Sequence, residues 1–159
     1  MDMMTTTPDA CELLDADHVA VKHFFVEYAR LAHAMPQDSA ARRTELAQTI
    51  CSELTVHAQI EEEIFYPALR EAAPDLSALL DEAAAEHQEA KDLVAQIEAL
   101  AVASPEMDDL VAELACAVEA HVKEERDLLF PRARTCGLDL DVLGEQLRAR
   151  QGELAGAPA

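Results

Sequence analysis

The sequence predicts an all-α, up-down-up-down antiparallel four-helix bundle, with room for a short fifth helix at the C-terminal end. Three features carry that expectation. Gly (4) and Pro (7) are scarce among 159 residues in which Ala, Leu, Glu and Asp abound, a helix-forming mixture. Half of the residues are apolar, enough for a single domain of this length to bury a core. Breakers cut the chain into four long segments with short connections, which make consecutive helices antiparallel neighbours.

The first segment, 10–34, ends before Met35-Pro36. The second, 39–66, opens at Ser39 and is closed by Pro67, because proline removes a helical N–H and its ring clashes with the preceding turn. The third, 74–102, opens at Pro74-Asp75. The fourth, 105–132, opens with Ser104-Pro105-Glu106, an N-cap followed by proline at the first helical position. Gly137 marks a stop, and Leu138–Arg150 fits a short fifth helix before a frayed tail, GELAGAPA. The expected organisation is therefore a bundle over 10–135, then a short helix and tail over 136–159.

Two related phrases, HAQIEEEIFYP at 57–67 and HVKEERDLLFP at 121–131, stand out in this frame. Each begins with His, places Glu four residues on (His57 and Glu61; His121 and Glu125) and ends in an aromatic residue and Pro. Positions i and i+4 of a helix share a face, so each phrase aims an imidazole and a carboxylate at one point. Steps of seven residues put His18, His57, His87 and His121 on apolar stripes, His121 between Leu114 and Leu128. His23 is turned away from the stripe of His18, and His33 stands at a helix end beside Pro36. Height gives a second criterion: His87 and His121 each lie seventeen residues from Ser104, and His18 and His57 lie eighteen and twenty-one from Pro36. The offset of three residues is roughly 4.5 Å at the helical rise. A second repeat, Asp17-His18 with Lys22 against Glu86-His87 with Lys91, points to two duplicated hairpins, each supplying two His and one Glu.

Six converging nitrogen and oxygen donors in two equivalent triads suit a pair of metal ions better than one tetrahedral zinc. Imidazole with carboxylate favours iron or manganese and also permits zinc. The expected cofactor is two iron ions joined by an oxo or hydroxo bridge, with zinc or manganese as substitutes. The Glu-x-x-His signature of ferritin-like bundles does not occur.

The order His, His-x-x-x-Glu, His, His-x-x-x-Glu with FP-type endings resembles the hemerythrin-like, or HHE cation-binding, family over about residues 10–135. The resemblance implies His18, His57, Glu61, His87, His121 and Glu125 as the ligands, the same six that facing and height select. In the oxygen-carrying members a further His stands where this chain has Lys91, and an Asp follows the helix-four His by five residues where Glu125 follows by four. The chain thus resembles the bacterial four-His, two-Glu branch, in which each metal keeps an open or solvent-filled position. That implies a small oxygen-type ligand (oxygen, hydrogen peroxide or nitric oxide), bound or processed in oxidative or nitrosative stress protection. The alternative is a non-catalytic module for reversible binding, sensing or iron holding. Catalase-like or nitric-oxide-processing turnover is left open, and no catalytic residue is assigned.

Composition narrows the partners. A formal charge of −20 opposes binding to nucleic acid or anionic membrane. No apolar run spans a bilayer, and MDMMTTTPDACELL has neither the basic start nor the apolar core of a signal peptide, so a cytoplasmic protein is expected, as monomer or homodimer. Cys11, Cys51, Cys116 and Cys136 occur singly and read as reduced, mostly structural thiols. Lys22 and Lys91, four residues after a ligand, either snorkel from the apolar edge or orient groups around the metal. Tyr28 and Tyr66 read as packing, with shielding or reduction of iron as the functional alternative. Ala83, Ala90 and Ala117 either leave space beside the histidines or simply reflect how common Ala is in this chain. Glu53 reads as a solvated acid with an additional oxygen donor as the alternative, and Glu62, Glu63 and Glu124 read as part of the exposed acidic face.

Overall fold

The computed structural model describes residues 7–156. Helix α1 spans Ala10–Ala34 and α2 spans Ala40–Ile60, continuing through a π-helical turn, Glu61–Phe65, into α3, Tyr66–Ala72. A 3-10 turn, Pro74–Leu76, leads into α4, Ser77–Leu100. Helix α5, Pro105–Glu124, passes through a second π turn, Glu125–Leu129, into α6, Phe130–Ala133, and α7 covers Leu140–Ala155. Hairpins α1–α2 and α4–α5 pack side by side, closing a four-rod ring in which α1 also meets α5 and α2 meets α4. The fold is the antiparallel bundle with a fifth helix.

Local chemistry explains the boundaries. Asp9 caps α1 reciprocally with Glu12: the Asp9 carboxylate accepts the Glu12 N–H at 2.9 Å, and Glu12 accepts the Asp9 N–H at 3.0 Å. Ser104 caps α5 through the Met107 N–H at 3.2 Å, with Pro105 at the first helical position. Asp139 does the same for α7 through Val142. Gly137, at φ 89, takes the left-handed turn between α6 and α7.

Proline 67 does not end its helix, contrary to expectation. In both copies the ligand glutamate starts a π turn: the Tyr66 N–H donates to the Glu61 carbonyl and the Phe130 N–H to the Glu125 carbonyl. The carbonyl that the Pro67 ring would strike in an α-helix, that of Glu63, lies within this wider turn, so the rod continues to Ala72. The extra residue also shifts the facing by one position. Leu128, read above as a stripe partner of His121, is 46 % exposed while Leu129 is buried.

The core has two compartments. One gathers Leu14, Ile60, Phe65, Leu69, Leu80, Phe130 and Leu147. The other gathers Phe25, Tyr28, Ile50, Val94, Met107 and Leu114. Buried Arg43 ties the second end together, donating to Asp108 at 2.6 Å and to the Ser39 hydroxyl at 2.9 Å, while Tyr28 donates to the same carboxylate. Cys11 and Cys51 are buried, and burial first of all pushes both thiols up to about 12, whereas Cys116 is exposed.

Helix α7 lies on α1 and α2. A Cβ at Gly144 would come within 2.7 Å of the Pro8 carbonyl oxygen, so only glycine allows this approach. The helix continues through 152–155, into the segment expected to fray, because Leu154 packs on the first compartment. Residues 1–6 of the expected non-signal N-terminus and 157–159 of the tail lie outside the described residues. Among the described residues no helix is long and apolar enough to cross a membrane.

One backbone site among the described residues is strained. At the end of α4, Ala101 has φ 65 and ψ −33, and the Val102 N–H donates to the Leu100 carbonyl at 2.7 Å, a γ-turn of the rare positive-φ kind. Ala101 is exposed, so nothing but backbone conformation is at stake. Ala101→Gly is expected to stabilise the protein by about 1 kcal/mol, a rise of roughly 2–4 °C in the melting temperature followed by circular dichroism.

Candidate metal centre

Between the two compartments lies a polar layer. His18 on α1, His57 on α2, His87 on α4 and His121 on α5 are each at most 9 % exposed, and Glu61 and Glu125, at the start of the π turns, are fully buried. All six residues singled out by the sequence therefore meet in one layer, while His23, His33 and Glu53 are exposed.

The four Nε2 atoms point inward in pairs. His18 and His57 Nε2 are 3.1 Å apart, and His87 and His121 Nε2 are 3.2 Å apart. Glu61 Oε1 spans the pairs, 3.2 Å from His57 Nε2 and 3.1 Å from His87 Nε2. Glu125 Oε1 spans them from the other side, 3.0 Å from His18 Nε2 and 3.7 Å from His121 Nε2. Two donor groups result, His18 with His57, Glu61 and Glu125, and Glu61 with His87 and His121; within each, the donor atoms lie within 4.8 Å of one another.

Outside this layer, carboxylates fix the rings. His57 Nδ1 donates to Asp17 at 3.0 Å, His87 Nδ1 to Glu62 at 2.7 Å and His121 Nδ1 to Glu86 at 2.6 Å. An ionised carboxylate only accepts, so these three imidazoles carry a proton on Nδ1 and aim Nε2 at the centre. Lys91 steadies Glu62 at 2.8 Å, and Gln151 of α7 donates to both oxygens of Asp17 at 3.1 and 3.0 Å. Glu62, read above as part of the exposed acidic face, is thus a ring clamp, and Lys91 acts through it. Glu63 remains at the surface, paired with Arg150.

Tyr66 is the functional candidate that sequence reasoning undervalued. Its hydroxyl enters the layer, donating to Glu125 Oε2 at 2.7 Å and standing 3.3 Å from His87 Nε2 and 3.2 Å from His121 Nε2. The signal lay in the repeat: Tyr66 aligns with Phe130, the one place where an aromatic hydroxyl appears in one copy only. Tyr28, by contrast, belongs to the Arg43 network away from the histidines.

Electrostatics show what the layer lacks. Burial and then the charge of Glu61 push Glu125 well above the usual carboxylate range. Burial also opposes ionisation of Glu61, yet the neighbouring His57 more than compensates and holds it low. Burial and the neighbouring His57 lower His18 to about 4, and burial, then the two glutamate charges, raise the Tyr66 phenol so that it stays a neutral donor. Glu61 Oε2 and Glu125 Oε1 are buried without a hydrogen-bond partner; the latter approaches His18 Nε2 out of hydrogen-bonding alignment. Orphaned carboxylate oxygens of this kind cost several kcal/mol unless a cation satisfies them. The separations of about 3 Å equal √2 times a metal–ligand bond of about 2.1 Å, the spacing of adjacent ligands at right angles. The donor set fits cations.

Removing the Tyr66 hydroxyl leaves Glu125 Oε2 without its short bond. Tyr66→Phe is expected to destabilise the metal-free protein by about 1–3 kcal/mol in urea unfolding.

Comparison with known proteins agrees with this geometry. None of the curated proteins compared with the chain matches it. Among solved structures, a hemerythrin HHE cation binding domain-containing protein from Mycobacterium kansasii is similar, with 28 % identity and a TM-score of 0.72 over 94 % of this chain and 89 % of that one. The family model described as the hemerythrin HHE cation binding domain matches residues 9–133, which include all six buried donors. The chain therefore belongs to the hemerythrin HHE cation binding domain family.

Proposed function

We propose that the protein is a non-haem di-iron protein whose six ligands are His18, His57, Glu61, His87, His121 and Glu125, and that it takes up a small uncharged oxygen-type ligand, oxygen or nitric oxide, in protection against oxidative or nitrosative stress. Bound iron would supply reversible redox change and a binding position for such a ligand. The observation that carries the reading is a cavity of about 50 Å³ against the four imidazoles, walled by Val21, Leu54, Ala90, Val94 and Ala117. A water molecule's share of the liquid is about 30 Å³, so this chamber suits a molecule of two or three heavy atoms. Its wall is mainly apolar, with Thr55 and Lys91 among the residues that line it, and a mainly apolar wall favours a diatomic gas over a strongly polar ligand. Ala90 and Ala117 line the chamber as their positions suggested; Ala83 instead packs in the first core compartment.

A second reading, turnover of hydrogen peroxide to water and oxygen, is favoured by one feature. The Tyr66 hydroxyl is a neutral proton donor at the edge of the donor layer, hydrogen-bonded to Glu125. There it can hold a proton on the Glu125 side of the donor layer, although it does not line the chamber itself.

Metal analysis of purified protein, with absorption spectra under oxygen, under nitric oxide and after peroxide, tests both readings. Two irons per chain with a reversible gas adduct support the first. Sustained oxygen evolution from peroxide supports the second, and Tyr66→Phe is then expected to slow it at least 10-fold. A protein that holds only zinc, or no metal, overturns the di-iron reading. Ala117→Leu places a larger side chain in the chamber, and is expected to lower gas affinity at least 10-fold while iron content stays at the wild-type value, measured by equilibrium titration and metal assay.

A further inference from the structure

The two copied hairpins are alike in their ligands and unlike in what surrounds them. Glu62 clamps His87, and the aligned position beside His18 is Arg126. Arg126 instead grips Asp15 at 2.6 Å, holding that carboxylate 3.6 Å from His18 Nδ1, beyond hydrogen-bonding distance. His18 Nδ1 is consequently buried with no partner, the one imidazole of the four without a carboxylate clamp. Lys91 is neutralised by Glu62, whereas its counterpart Lys22 has no ion pair among the described residues. Beside His87, then, Glu62 and Lys91 cancel. Beside His18, Asp15 cancels Arg126 and leaves Lys22 in excess. The aromatic pair differs in the same sense: the Tyr66 hydroxyl faces His87 and His121, while the Phe130 ring stacks on His18 with centroids 6.1 Å apart and contributes no donor.

These differences around the donors favour cation binding at His87–His121 over His18–His57, and they act against the one inner difference, the second glutamate that His18–His57 holds within ligand distance. We infer that the centre loads in a fixed order, His87–His121 first and His18–His57 second, and that Arg126, by displacing the clamp from His18, is the positioning residue that sets the difference. The inference rests on the two-cation reading given above. Loss of an outer-shell partner to a metal-bound His lowers affinity about 10- to 100-fold, which sets the scale of the gap. The second position is the exchangeable one, filled only when the cation is plentiful.

Titration of the metal-free full chain with Co(II), followed by calorimetry and visible absorption, measures this directly. Two one-equivalent steps at least 10-fold apart in affinity are expected. Mutual repulsion between two equal positions would also split the steps, so His18→Ala and His87→Ala are compared. Residual one-equivalent affinity should stay at the tight wild-type value in His18→Ala and fall at least 10-fold in His87→Ala; equal residual affinities in the two variants overturn the inference. Arg126→Glu, at an exposed position, should draw the two steps to within about 3-fold, and an unchanged gap removes Arg126 from the explanation. Histidine ¹⁵N spectra of the metal-free protein add a readout that involves no metal. His57, His87 and His121 should appear with the proton on Nδ1 and His18 should not, while a fourth Nδ1-protonated ring counts against the proposal. Uptake of fewer than two equivalents is a different result, which overturns the two-cation reading itself and this inference with it.

Discussion

Everything in this bundle is arranged around six polar side chains that its own core has no other means of satisfying. Four imidazoles and two carboxylates interrupt the apolar interior at mid-height, dividing it into two compartments. A fully apolar layer of equal volume would be as stable or more so, because desolvating ionisable groups offsets much of what their pairing returns. Outward-facing carboxylates on three rings, the tyrosine hydroxyl on Glu125 and the packing at both ends hold the donors in place. What that rigidity provides is a set of lone pairs already converged, with little reorganisation left for a cation to impose.

The π turns belong to the same design. A histidine and a glutamate four residues apart already share a helix face, and the wider turn starting at the glutamate then advances the register by one residue. Below the donors, Phe65, Tyr66, Leu69, Leu129 and Phe130 consequently face inward. A continuous α-helix would leave the proline of each copy in collision with the preceding turn. Two identical irregularities in the two hairpins show that the device is part of the repeat.

Much of this was legible in the sequence. Helix starts could be read where a cap and a proline act locally, as at Ser104-Pro105, and the donor layer could be read because i, i+4 spacing and equal distance from a turn are local measurements. Pro67 misled because its effect depends on the type of turn before it. The seven-residue step from His121 to Leu128 failed for the same reason, since it crosses the inserted residue. Glu62 looked like one member of an acidic run, and only the α4 helix beside it reveals its bond to His87. Gln151 carried no signal at all: its partner Asp17 lies at the opposite end of the sequence, and only folding brings them together.

That last contact gives the C-terminal helix a significance its composition hides. Helix α7 lies beyond the region matched by the family model and supplies none of the six buried donors, yet Gln151 holds the carboxylate that orients His57. Glycine 144 seats the same helix against the start of α1, the rod that carries Asp17 and His18. A segment outside the common domain therefore reaches the centre through two hydrogen bonds in series. Members that share all six donors but differ in this appended helix have a way to diverge in the basicity of one ring, a form of tuning that leaves the recognisable motif untouched.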